Sequence, residues 1–123
     1  MSNTITLADL DAAVENQFAP LRFTAGDDEF VLRNVVRLSA KERETVLSAL
    51  QEIESLRESE DRGAEVSVDT VVTTLETILK TVTADGKGAR LLKVLAGDLT
   101  RCQMLFLKWA EATQVGEAQG SPA

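Results

Sequence analysis

A mainly α fold, a small domain of four to five helices with one small N-terminal β-hairpin, is what this sequence predicts. Three observations carry the prediction. Apolar residues recur at intervals of three and four along most of the chain, as they do in helices that bury one face. Two short β-prone runs, "LRF" and "FVL", flank "TAGDD", whose Gly26 and Asp27 favour a tight turn. At 123 residues the chain can bury one core but hardly two, so residues 1–114 are expected to form a single helical domain. The small, polar end "VGEAQGSPA", residues 115–123, is expected to be a disordered tail.

The first helix is expected over Leu7–Gln17. Thr6 with Asp9 three residues on resembles a capping box, Leu7, Leu10, Val14 and Phe18 keep helical spacing, and Pro20 closes the segment. The hairpin strands are expected over Leu21–Thr24 and Glu29–Leu32, lying against the helices because two strands alone are marginal. Ser39 and Glu42 then form a full capping box, with Leu38 available as a hydrophobic staple, and a helix follows over Ala40–Glu58. Its stripe is Val46, Ala49, Ile53 and Leu56, and "SEDRGAE" after it is a solvated loop. In "VSVDTVVTTLETILKTV" the Thr and Val content favours a strand, but periodicity sustained over four turns predicts a helix over Val68–Thr83. A short helix over Gly88–Ala96 and a longer one over Leu99–Thr113 follow. Gly97 and Asp98 separate them as stop and N-cap, which keeps Asp98 off the apolar face of a continuous helix.

Composition narrows the chemistry. Thirteen basic against twenty acidic residues leave a net charge of −7, which disfavours nucleic acid and anionic membrane surfaces. No apolar run approaches the ~20 residues that span a bilayer, and the N-terminus lacks the pattern of a signal peptide. A cytosolic protein is expected. His and Tyr are absent, so the commonest general base and metal ligand is missing. "DGKGAR" lacks the glycine and hydroxyl spacing of a phosphate-binding loop, and the acids of "AGDDE" are too closely spaced for a calcium loop. Cys102 on an apolar face is a small buried hydrophobe rather than a reactive thiol. No enzyme activity, metal or cofactor is expected.

The stretch "CQMLFLKWAE" holds more apolar side chains than one helix face can bury. At 100° per residue Leu99, Cys102, Phe106 and Trp109 share a face, with Leu105 at its edge. Met104 and Leu107 point away, roughly 200° and 140° round the helix from Cys102. Either this is a central helix, apolar nearly all round, or it carries a second apolar face for self-association or a client helix. On the second reading Met104, Leu107 and Trp109 are the candidate partner-binding residues, methionine being adaptable and tryptophan a frequent interface anchor. Trp109 fits the core or its rim equally well.

The order of elements and three strings resemble a known family. The strings are "FTAGDDEFVLRNVVRLSAKERETVLSAL" at Phe23–Leu50, "LLKVLAGDLTRCQMLFLKWAEATQ" at Leu91–Gln114, and "GEAQGSPA" at the end. They are similar to the tail assembly chaperones of long-tailed, siphovirus-type bacteriophages, particularly those infecting actinobacteria. In that family an extended segment with a Gly-Asp turn leads through an Arg-Leu pair, here Arg37 and Leu38, into a charged helix. Later a Gly-Asp-Leu helix start leads to a tryptophan, as Gly97, Asp98, Leu99 and Trp109 do here.

The resemblance implies a non-enzymatic protein that binds the tape measure protein and keeps it soluble until tail tube subunits polymerise around it. It implies a protein of the host cell cytoplasm, absent from the mature virion; the apolar surplus of "CQMLFLKWAE", on a chain whose charge opposes association, separately predicts a homo-oligomer of modest affinity. The resemblance also implies that this chain is the short form of a pair. The longer form, made by programmed frameshifting, would connect to the tail tube protein. The competing expectation is a small acidic helical adaptor, or antitoxin-like protein, that binds a single host protein. A tape measure gene just downstream, with an overlapping reading frame between, would separate the two.

Overall fold

The computed structural model describes residues 4–113. Five helices and one hairpin follow in order: α1 (Leu7–Gln17), β1 (Leu21–Ala25), β2 (Asp28–Leu32), a 3-10 turn (Val35–Arg37), α2 (Ala40–Asp61), α3 (Val68–Val82), α4 (Gly88–Leu95) and α5 (Leu99–Thr113). The mainly α fold with an N-terminal hairpin is thus as expected. The tail expected at 115–123 lies outside the described residues.

Local chemistry sets most of the boundaries. Thr6 and Asp9 form a complete capping box at α1, and Ser39 and Glu42 form another at α2. The two strands pair antiparallel from Leu21↔Leu32 to Ala25↔Asp28, leaving Gly26 and Asp27 as a two-residue connection. Each strand is one residue longer at the turn than expected, at Ala25 and Asp28. α2 runs past the expected Glu58 to Asp61, because its charged last turn is solvated and nothing breaks it before Gly63. There the backbone turns left-handed (φ 87°), and the amides of Arg62, Gly63 and Ala64 close onto the last carbonyls. Leu38 does not act as a staple. It is buried in the core, and the Arg43 guanidinium donates to its carbonyl at 3.1 Å instead.

The Thr-rich segment is helical, and its hydroxyls explain how. Those of Thr74, Thr77, Thr81 and Thr83 each donate to the carbonyl four residues back, so none needs a strand ladder or a second partner. The opposite stripe, Val72, Leu75, Ile78, Leu79 and Val82, is buried. The helix stops at Val82, one residue short of Thr83, because the chain there joins the hairpin. Leu32 bridges Thr83, the Arg33 amide donates to the Val82 carbonyl at 3.0 Å, and the Ala84 amide donates to the Val31 carbonyl at 2.9 Å.

One core links all the elements except α1. Phe30 and Leu32 enter it from β2, Val46 and Ala49 from α2, and Leu75, Ile78, Leu79 and Val82 from α3. Leu91 and Leu95 come from α4, and Cys102, Leu105 and Trp109 from α5. α4 ends at Leu95 rather than Ala96, since Ala96 is already left-handed (φ 55°). α1 differs from every other helix. None of its residues is buried, and Leu7 and Leu10 are 72% and 47% exposed.

Candidate functional site

The apolar surplus of α5 resolves into two faces. Asp98 starts the helix by accepting the Arg101 amide on its carboxylate at 3.0 Å, which sets the helix rotation from the first turn. Cys102, Leu105 and Trp109 are buried, so the inward face centres on them. Leu105, expected at the edge, is inside. Phe106, expected in the core, is half-buried on the flank and packs against Trp109 with ring centroids 6.0 Å apart. Met104 and Leu107 are 52% and 50% exposed. The helix therefore is not a fully enclosed central one.

Trp109 must be corrected as a partner-binding candidate. It has no exposed surface, and its indole Nε1–H donates to the Arg33 carbonyl at 2.9 Å. The ring anchors α5 to the exit of the hairpin. Beside it Asn34 donates to the Thr113 carbonyl at 3.2 Å, tying down the end of the same helix. A side chain held this way is unavailable to a partner.

Met104 and Leu107 form one wall of a groove of about 450 Å³ between three helices. Thr100, Gln103 and Phe106 complete the α5 wall. Ile53, Leu56, Arg57 and Glu60 form the α2 wall, and Val66, Val71 and Leu75 form the floor and end. On α2 and α5 alike the lining residues span about two helical turns. The lining charges are one Arg and one Glu, so the groove is neutral on a chain of net charge −7. Among the described residues Arg57 has a loose contact with Glu54 at 3.8 Å between exposed side chains. A concave, apolar, two-turn surface suits an amphipathic helix.

Other chemistry in the molecule is structural. Arg33 donates to the carbonyls of Val82 (3.0 Å) and Thr81 (2.9 Å) and pairs with Glu42 at 3.1 Å. It thereby satisfies the end of α3 and ties it to the start of α2. The hydrogen bond from the Ser39 amide, and then that from Arg33, hold the Glu42 carboxyl below its ordinary pKa. Burial pushes the Cys102 thiol up, with the charges of Glu76 and Asp98 acting the same way, so it stays protonated and inert. Two of the three acids at the hairpin turn are engaged in ion pairs, Asp28 with Arg90 at 3.0 Å and Glu29 with Arg22 at 3.6 Å. Among the described residues no cluster of three or more acidic or Cys side chains converges as a metal site, and no helix is long and apolar enough to cross a membrane.

The outer edge of β2 is not open for strand addition. Residues 82–84 pair along it, and the Lys87 ammonium donates to the Glu29 carbonyl at 3.1 Å. Of the groove lining the sequence picks out only Met104 and Leu107; the α2 and α3 walls, Val66 and the rest of the α5 wall emerge from the packing. Leu56 keeps the spacing of a core stripe, and nothing in that spacing shows that it lines a surface channel.

The family model described as mycobacteriophage tail assembly protein matches residues 1–118. No curated protein and no solved structure matches the chain.

Proposed function

The chain belongs to the mycobacteriophage tail assembly protein family, and on that premise we propose that it is a tail assembly chaperone acting on the tape measure protein. The groove between α2, α3 and α5 carries this reading. Its client is an apolar helical segment of the tape measure protein, held against Met104, Leu107 and Phe106 while the acidic outer surface keeps the complex in solution. The chain acts in the host cytoplasm and leaves before the virion is complete. A longer, frameshifted form of the same chain shares the groove and links the complex to the tail tube protein.

Co-expression tests the proposal. Met104 and Leu107 are half-exposed, so replacing both with Ser should change stability by no more than about 1 kcal/mol in total. The same double variant should leave the tape measure protein in the insoluble fraction, whereas the unaltered chain keeps it soluble. Equal solubility with both chains would overturn the assignment of this groove.

A further inference from the structure

Among the described residues, the groove and the stripe of α1 both expose several apolar side chains close together. On α1, Leu7, Leu10 and Val14 lie on one side of the helix, and Ile5 just before it is 63% exposed. Among the described residues no other element packs closely against α1. The ion pair they show between it and the rest of the molecule, Glu15 to Arg22, is long at 4.0 Å and solvent-exposed. Yet α1 begins with a complete capping box, so it is built as a helix and not as a loose leader. Among the described residues only Val14 on this face is partly covered, so α1 has little of the tertiary packing that stabilises most helices.

We propose that α1 of one copy seats in the groove of a second copy, and reciprocally, so that the client-free protein is a closed dimer. Three observations select this occupant. The Leu7–Val14 stripe is about two turns long, as are the α2 and α5 walls. The charges on α1 are all acidic, Asp9, Asp11 and Glu15, and the neutral groove, unlike the acidic surface around it, offers the loosely held Arg57 against a single acid, Glu60. Only residues 18–20 join α1 to β1, and in its own chain α1 stands away from the core with its leucines in solvent. A two-fold exchange covers both apolar surfaces at once with one kind of contact. A further consequence rests on the chaperone reading above: the client helix takes the place of α1, and binding splits the dimer.

Sedimentation of the full chain and two variants tests the seating. The α1 variant is Leu7→Ser with Leu10→Ser, and the groove variant is Met104→Ser with Leu107→Ser. All four positions are about half-exposed or more, so the variants should keep the far-ultraviolet dichroism and melting temperature of the parent. The parent should be dimeric at concentrations where each variant alone is monomeric. An equimolar mixture should recover a 1:1 heterodimer, because one intact α1 then meets one intact groove. A parent that stays monomeric at every concentration, an α1 variant that dimerises unaided, or a mixture that stays monomeric would each overturn the proposal. The client step has its own readout: the α1 variant, with its groove uncovered, should solubilise the tape measure protein at least as well as the parent. If it fails while the mixture still forms heterodimers, the chaperone reading falls and the seating stands.

Discussion

Gly88 shows what a single residue can hide. It opens α4 where that helix crosses α3, and a Cβ placed on it would lie 2.6 Å from the Lys80 carbonyl oxygen and 2.7 Å from Lys80 Cγ. The first of these is backbone and cannot swing aside. In an ordinary helix Gly→Ala stabilises by about 0.4–1 kcal/mol. Here Gly88→Ala should instead destabilise by about 1–3 kcal/mol, the usual cost of overpacking, as read by urea or thermal unfolding. An increase in melting temperature would show that the two helices can part freely. The sequence placed Gly88 at the start of a helix but held no sign of Lys80. Trp109 is similar: its apolar face was legible, whereas its indole partner, the Arg33 carbonyl, lies 76 residues away.

Among the elements, α2 and α3 are joined by charge as well as by packing. Glu42 closes the capping box of α2 and also receives Arg33, which caps the end of α3. Its carboxyl is held below its ordinary pKa in the folded chain. A depressed carboxylate contributes stability that is present above its unfolded pKa and is lost as pH falls through its folded value. Glu42→Gln keeps the capping geometry but not the charge. It should therefore be less stable than the parent at neutral pH, and the gap should close as pH falls below the ordinary glutamate value of about 4.3. A gap that stays constant from pH 7 to pH 3 would remove the ion pair from the account. The capping box was plain from Ser39 and Glu42 alone, but the second role of Glu42 required Arg33 to be folded back onto α3. For α1 the reverse holds: its stripe was legible, and its spacing could not tell what would cover it.

At the scale of the whole molecule, net charge and apolar surface oppose each other. A chain of charge −7 repels its copies, while the proposed seating of α1 in the groove would draw them together. Raising salt from about 0.1 M to 1 M shortens the Debye length from about 10 Å to about 3 Å, which weakens the long-range repulsion far more than the apolar contact. The sedimenting mass at fixed protein concentration should therefore rise with salt. A mass that falls instead would mean that pairing of Arg57 with the acids of α1, and not apolar burial, dominates association.

Taken by itself, the sequence determined the order and class of the helices and the hairpin. It did so because capping boxes, a two-residue turn and a 3-4 apolar repeat act over four residues or fewer. It also set the sign of the surface and placed Met104 and Leu107 away from the Cys102 face. Tertiary structure decided which apolar side chains stay outside. It buried Trp109, moved Phe106 to the flank, closed the β2 edge with residues 82–84 and left Leu7 and Leu10 of α1 exposed. Those outcomes depend on contacts such as Arg33 with Val82 and Asn34 with Thr113, which are 49 and 79 residues apart in the chain. A periodic pattern names the face that avoids water, but only the packed neighbours show how much of it finds cover.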